Sequence, residues 1–293
     1  MLSPWVFLAL ISAFSLATSD ALTKKALSIH NEYIIAWLRL FCALPLLIIC
    51  LFFIPFPELK RDFYIAFSLS IPLEILALIW YIKALKLSPL SLTLPFLSLT
   101  PVFLIFIPFI MIGERITFLA GVGVVLIATG SYMLNLKEFK KGLFEPFFAI
   151  VRERGSLLMI GVAFIYSITS TLGKRAIESS SPIFFGVTYF LAVFLFLTPL
   201  AIYKGRDEIM MIFKNGALRS SLLPGFFQSI MIISHMLSLG LTKVAYMISV
   251  KRLSLLIGVI YGRLIFRESN FKERIFGSLL MLLGFLLIVL FHD

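Results

Sequence analysis

Residues 114–130 read ERITFLAGVGVVLIATG and residues 268–284 read ESNFKERIFGSLLMLLG. Few positions agree, yet Glu114, Gly123 and Gly130 of the first stretch fall on Glu268, Gly277 and Gly284 of the second, each displaced by 154 residues. A second block agrees at nearly the same offset: Ala13-Phe14 and Lys24-Lys25-Ala26-Leu27 meet Ala163-Phe164 and Lys174-Arg175-Ala176-Ile177 at a displacement of 150. A chance match of one Glu and two Gly would not recur at a second, independent block. The chain therefore reads as a tandem duplication.

The duplicated units are membrane helices. Apolar residues make up 60% of the 293 positions and charged residues 14%, with a mean hydropathy of +1.05, against about 45–50% and 25% in soluble domains. Stretches 117–136 and 275–291 hold no Asp, Glu, Lys or Arg, and about 20 such residues span a bilayer core. A transmembrane barrel would alternate with a period of two, whereas these runs are continuous. Ten candidate spans follow, at about 4–26, 33–54, 63–85, 88–112, 117–136, 156–177, 182–203, 219–241, 243–266 and 275–291. The apolar start lacks a basic leader and is read as a retained helix.

The segment 137–155, with Lys137, Lys140, Lys141, Arg152 and Arg154, separates a first repeat (3–136) from a second (156–291), five helices in each. Because five is odd, the second copy enters the membrane from the opposite face. The expected fold is an all-α membrane protein of ten transmembrane helices in two inverted five-helix repeats. The net charge of +11 sits mostly in short connections, which points to anionic lipid headgroups and not to nucleic acid. Cys42 and Cys50 stand eight residues apart in one span, about 12 Å along a helix, too far for a mutual disulfide.

The Lys-Lys-Ala-Leu (24–27) and Lys-Arg-Ala-Ile (174–177) helix ends, Arg39, Ser88-Pro89 with Pro95 and Pro101, and Gly113-Glu114 form a set of motifs. On them the chain resembles the EamA-type members of the drug/metabolite transporter superfamily over essentially its whole length. Arg267-Glu268 departs from the Gly-Glu often found there. The resemblance implies a transport role, a central cavity lined mainly by helices 1–4 and 6–9, and cytoplasmic termini in a cell membrane. It names no substrate, because the cargoes of the superfamily range over amino acids, nucleotide sugars, drugs and other metabolites. The charge distribution disagrees on orientation. Lys60, Arg61, Arg115, Lys174, Arg175 and Lys243 lie on the side of the termini and most other basic residues lie opposite, so the positive-inside rule places the termini outside.

Ionisable side chains inside spans are costly and face protein or water, which makes each a site candidate. Glu74 is twelve residues from both Asp62 and Lys86 and two after Pro72, a ring expected to disturb the helix at Ile71. It is a candidate proton carrier or substrate partner; the plainer reading is a structural ion pair or an interhelical hydrogen bond. A displacement of 154 carries Glu74 onto Gln228, so the two are expected to converge on one cavity or, alternatively, Gln228 to bond a neighbouring helix. Lys251 and Arg252 lie eight and nine residues beyond Lys243, about 12 Å deep, and need water, a carboxylate or an anionic substrate. The planar fork of Arg252 suits carboxylate or phosphate. Arg39 is shallower and could serve the site or reach the interface.

Ser254, Gly258 and Gly262, four apart, read as a small-residue face for close helix packing. Pro95, Pro101 and Pro108 mark a broken helix in the corresponding region of the first half. His235, the one histidine expected inside a span, reads as a packing histidine with a ligand as the alternative, and Glu114 and Glu268, beside Arg115 and Arg267, as caps or local pairs. The uncharged helices 5 and 10 read as lipid-facing supports. There is no HExxH, Cys/His cluster or P-loop, so metal catalysis and nucleotide-driven pumping find no support, and no cofactor is expected.

These readings converge on a secondary-active transporter, not an enzyme, for a small polar metabolite, anionic or zwitterionic. It would work by alternating access, with protons as a possible coupling ion through Glu74. The alternatives are a flippase for a lipid-linked sugar and a membrane-embedded lipid-processing enzyme, the latter lacking a cluster of acids, His or Ser near an interface.

Overall fold

The computed structural model describes residues 3–87, 94–135, 154–265 and 275–292, and every regular element among them is a helix. The first half comprises α1 (Pro4–Leu27), α2 (Glu32–Leu51), α3 (Arg61–Leu87), α4 (Leu99–Ile112) and α5 (Phe118–Asn135), with one 3-10 turn, Leu94–Ser98, leading into α4. The second half comprises α6 (Arg154–Glu178), α7 (Pro182–Lys204), α8 (Ala217–Leu241), α9 in two segments (Val244–Lys251 and Ser254–Leu264) and α10 (Ile275–Leu290). A single helical turn, Arg206–Ile209, joins α7 to α8. Seven of the described helices are long and apolar enough to cross a membrane, and α4, α5 and α10 are shorter apolar helices. Lys137, Lys140, Lys141, Arg152, Ser88-Pro89 and Arg267-Glu268 lie outside the described residues.

Apolar sequence alone does not make a helix, but in hydrocarbon every backbone group needs an internal partner, and a helix supplies all of them. The starts are set by polar residues: Asn31 Oδ1 accepts from Tyr33 N at 2.9 Å, and Ser181 Oγ accepts from Phe184 N at 3.3 Å just ahead of Pro182. α4 ends at Gly113, whose φ of 73° is the left-handed conformation that favours glycine.

The halves interlock by exchanging helices. α1 packs most extensively on α8, and α3 on α6, two pairs that the 150 and 154 displacements interconvert. Backbone carbonyls and serines hold α1 to α8: Ser238 Oγ donates to Trp5 O at 2.8 Å, Ser12 Oγ to Met231 O at 3.4 Å and Ser19 Oγ to Pro224 O at 2.8 Å. These bonds recur every seven residues on each helix and run in opposite senses, so α1 and α8 are antiparallel. On the other pair the Trp80 ring lies on Gly161, where a Cβ would meet it at 2.6 Å.

α5 and α10 cross at their glycines. A Cβ on Gly123 would lie 2.6 Å from Gly284 O, one on Gly284 would lie 2.5 Å from Gly123 O, and one on Gly130 would lie 2.5 Å from Gly277 O. Only glycine permits that approach. Gly258 behaves differently from the sequence expectation. It is exposed, and a Cβ there meets no described atom within 4 Å, so the Ser254–Gly258–Gly262 face is not closed by a neighbouring helix at its middle member. Ser254 and Gly262 are buried.

Two further expectations are corrected. α3 passes Pro72 without a break, and the span expected at 243–266 is interrupted. Arg252 (ψ −14°) and Leu253 (ψ −15°) wind as a 3-10 turn, with Leu253 N bonding Val250 O at 3.0 Å and Leu256 N bonding Leu253 O at 3.0 Å. The first-half helix changes winding at the position displaced by 154, where Ser98 (ψ −14°) closes the 3-10 turn before α4. There the cause is Pro101. It has no N–H for the carbonyl of Leu97, and Thr100 Oγ1 donates to that carbonyl instead, at 2.8 Å.

The turn joining α8 to α9 is held by opposite charges at two helix ends. Lys174 Nζ donates to Leu239 O, Gly240 O and Thr242 O at 2.9, 3.4 and 3.2 Å, closing the C-terminus of α8. Glu114 Oε2 accepts from Val244 N at 2.9 Å at the N-terminus of α9, the signs that a helix dipole favours. Glu114 is thus a cap for the other half and not a partner of Arg115. Its partial burial holds the carboxyl above the usual carboxylate range, with the Val244 N–H and Lys174 acting against the shift.

Candidate functional site

A cavity of about 230 Å³ lies between the halves. α3 contributes Glu74, α4 Thr100, α6 Tyr166 and Thr169, α7 Phe185, Tyr189 and Phe190, α8 His235, and α9 Lys251 and Arg252, with Leu16 of α1 on the wall. None of the lining residues belongs to α2, α5 or α10. α5 and α10 turn apolar side chains outward instead, among them Val122, Val125, Leu279 and Leu283.

Glu74 Oε2 accepts a hydrogen bond from the buried Tyr189 hydroxyl at 2.9 Å. Lys251 Nζ lies 3.0 Å from His235 Nδ1. Arg252 Nη2 donates to Thr100 Oγ1 at 3.2 Å, so one threonine hydroxyl serves both the carbonyl freed by Pro101 and the guanidinium at the interruption of α9. Arg252 Nε is shielded from solvent and has no hydrogen-bond partner among the described residues, leaving an unused donor beside the cavity. Neither Lys251 nor Arg252 makes an ion pair with Glu74 within 4.0 Å among the described residues. Two cations and one carboxylate thus stand apart around one space, each with bonding capacity left over.

The sequence expectation grouped Gln228 and Arg39 with these residues, and the structure separates them. Gln228 Oε1 accepts from Arg39 Nε at 3.0 Å and also from Arg39 Nη2, while Arg39 Nη1 donates to Asp20 Oδ1 at 2.8 Å. Neither residue lines the cavity. The reason is visible in the duplication. A displacement of 154 carries Glu74 to Gln228, and one of 150 carries Arg39 to Tyr189. The Tyr189–Glu74 and Arg39–Gln228 bonds are therefore equivalent contacts made once by each half, and equivalence put Gln228 opposite Arg39, away from Glu74.

Sequence reading missed Tyr189, Thr100 and the other hydroxyl and aromatic residues of the lining, and it read His235 as packing. The 150 displacement onto Arg39 was a usable signal for Tyr189. Thr100 could have been found as the hydroxyl preceding a helix proline. Nothing in the sequence distinguishes His235 from a packing histidine. Among the described residues no cluster of His, Cys, Asp and Glu could hold a metal ion.

The profile of the EamA-like transporter family matches the chain twice, at residues 3–136 and 153–290. No curated protein matches the sequence at a significant level. A solved structure described only as the crystal structure of a protein superposes with a TM-score of 0.77 at 13% identity, over 100% of this chain and 98% of that one. At that identity the likeness concerns the fold. With the family profile matched in both halves and seven helices of membrane-crossing length, the chain belongs to the EamA-like transporter family, as a multi-pass integral membrane protein.

Proposed function

We propose that the protein is a secondary-active transporter of a small anionic or zwitterionic metabolite, with Lys251 and Arg252 receiving the anionic group and Glu74 available to a cationic one. The observation that carries this reading is the cavity between the halves, faced by Lys251 and Arg252, whose hydrogen-bond partners His235 and Thr100 carry no negative charge, and by an Arg252 Nε with no partner among the described residues. An enclosed donor without a partner is costly, and a carboxylate or phosphate oxygen would satisfy it. A volume of about 230 Å³ suits a small metabolite and not a lipid-linked sugar.

Alternating access follows from ten spans in two inverted repeats, with both termini in the cytoplasm of a cell membrane. The reciprocal contact of α5 with α10 supports it. Gly123 meets Gly284, Gly130 meets Gly277, and the 154 displacement turns each pair into the other, as a two-fold axis across two antiparallel helices requires. The paired winding changes at Ser98 and Arg252 put irregular backbone beside the cavity, where inverted-repeat transporters carry their sites. Protons are the proposed coupling ion.

The test is counterflow in proteoliposomes loaded with anionic and zwitterionic metabolites. At least one should exchange with the native protein, and Arg252→Gln should slow its exchange about tenfold or more. Exchange unaffected by Arg252→Gln and Lys251→Gln would exclude this cavity as the route.

A further inference from the structure

Lys251 Nζ and His235 Nδ1 are two basic nitrogens 3.0 Å apart. A hydrogen bond at that distance needs one of them unprotonated, as acceptor. Either the ammonium donates to a neutral imidazole or an imidazolium donates to a neutral amine, and the two facing nitrogens hold one proton between them. The charges around the pair oppose one another. Arg252 brings a second positive charge and opposes a second proton, whereas Glu74 on α3, which keeps its charge while accepting from Tyr189 of α7, acts in favour of one; Tyr166 of α6 also lines the space. Asp20 of α1 acts on Lys251 only at longer range, its carboxylate being bonded to Arg39.

An anion docked against Lys251 and Arg252 changes this balance. Its charge offsets the repulsion between an ammonium and an imidazolium, and a nearby negative group favours the protonated form of a base. Resting on the transporter reading above, we propose that the Lys251–His235 pair takes up one proton whenever the cavity binds its anionic substrate, so that anion and proton cross together. The proton comes from water on the side of entry. When the anion leaves on the far side, the pair returns to one shared proton and releases the other there. The charge moved is that of the anion plus one. Glu74 is then a fixed counter-charge, and the two protonation steps belong to the pair and not to either residue alone.

The test uses the purified full-length protein in detergent with sulfate as probe, since sulfate keeps both charges and accepts no proton between about pH 6 and pH 8. Chloride at equal ionic strength is the control. Sulfate affinity should rise by up to about tenfold for each unit of falling pH, the limit for one linked proton. Titration in two buffers of different ionisation heat should report close to one proton taken up. His235→Gln, whose amide can still accept from Lys251, should reduce the pH dependence to less than about twofold per unit, and Glu74→Gln should keep it. Should His235→Gln fail to fold, NMR of the histidine imidazoles and the lysine side chains of the native protein decides. Whichever nitrogen of the pair starts without a proton, the His235 imidazole or the Lys251 amine, should gain one when sulfate is added at neutral pH.

Sulfate binding that ignores pH, or NMR spectra in which neither nitrogen of the pair gains a proton, overturns the proposal. So does a slope that survives His235→Gln and vanishes in Glu74→Gln, which would put the proton on Glu74. Each of these leaves the anion site standing, whereas absence of binding by any small anion removes both.

Discussion

The Tyr189 hydroxyl donates to Glu74 Oε2 at 2.9 Å, and the duplication makes this the counterpart of the bond from Arg39 Nε to Gln228 Oε1 at 3.0 Å. In each half a donor on the second helix reaches an acceptor on the third helix of the other half. The two contacts have diverged in charge. One is a neutral hydroxyl on a carboxylate beside the cavity, and the other a guanidinium on an amide away from it. Two contacts equivalent by the duplication thus differ in chemistry, and the carboxylate is on the side where Lys251 and Arg252 stand.

If the two contacts serve different ends, their removal should have different signatures. Gln228→Leu leaves the half-buried Arg39 with Asp20 and a long bond to Thr23 and should destabilise the protein by about 1–3 kcal/mol without changing ligand affinity in the folded fraction. Tyr189→Phe should shift affinity for a zwitterionic ligand several-fold. Thermal unfolding and ligand titration of the two variants, side by side, check the split; equal affinity losses in both would refute it.

Thr100 carries two bonds through one hydroxyl, to Leu97 O at 2.8 Å and from Arg252 at 3.2 Å. Thr100→Val keeps the shape and removes both, so a loss of about 1–3 kcal/mol in stability is expected, with weaker anion binding because Arg252 is no longer positioned. Thr100→Ser should restore most of each. Denaturation in detergent together with sulfate titration measures both quantities, and a valine variant as stable and as competent as the native protein would contradict the assignment.

The α5–α10 crossing leaves no room for side chains. Gly130→Val would drive a side chain into the Gly277 carbonyl, and a cost of about 1–3 kcal/mol or more is expected. Gly258→Ala, at an exposed position, should change stability by less than about 0.5 kcal/mol. The contrast is read by melting temperature. Equal effects at the two glycines would mean that the crossing is looser than described.

Glu114 predicts a pH dependence. Its carboxyl is raised above the usual range by burial, so between the unfolded value, about 4.3, and the raised folded value the native state holds more protons than the unfolded one. Stability then falls as pH rises through that window. Glu114→Gln can still accept from Val244 N and should flatten this part of the stability profile. An unchanged slope in the variant would assign it to another acid.

Much of this was legible in the sequence because it depends on one-dimensional properties. Uncharged runs mark helices, the repeated Glu-Gly-Gly spacing marks the duplication, and charges such as Glu74, Lys251 and Arg252 are too costly in lipid to face it. What the sequence did not reveal depends on which helix meets which. Of the two readings of Gln228, the bond to a neighbouring helix is the one seen, because equivalence fixes counterparts, and contact is a separate matter. The interruption at Arg252 has no proline or glycine to announce it, whereas Pro101 announces the change at Ser98. The heptad bonds between α1 and α8 rest on serines whose partners are carbonyls more than 200 residues away.

Inverted topology has its own experiment. The turn 28–31 follows the first helix of one half and the turn 179–181 follows the first helix of the other, so single cysteines at the exposed Ser28 and the partly exposed Ser180, in a background without Cys42 and Cys50, should react with impermeant thiol reagents from opposite faces. Labelling from the same face would exclude the inverted arrangement.

The central claim is that Lys251 and Arg252 face the substrate. The most direct measurement is a thermal-shift screen of the purified protein against pools of small anionic and zwitterionic metabolites, repeated with Arg252→Gln. A ligand that binds the folded state raises its apparent stability. The account predicts at least one pool that stabilises the native protein, with an apparent affinity at least about tenfold weaker in the variant, the loss expected when a charge-assisted hydrogen bond is removed. A ligand that stabilises both proteins equally would contradict it.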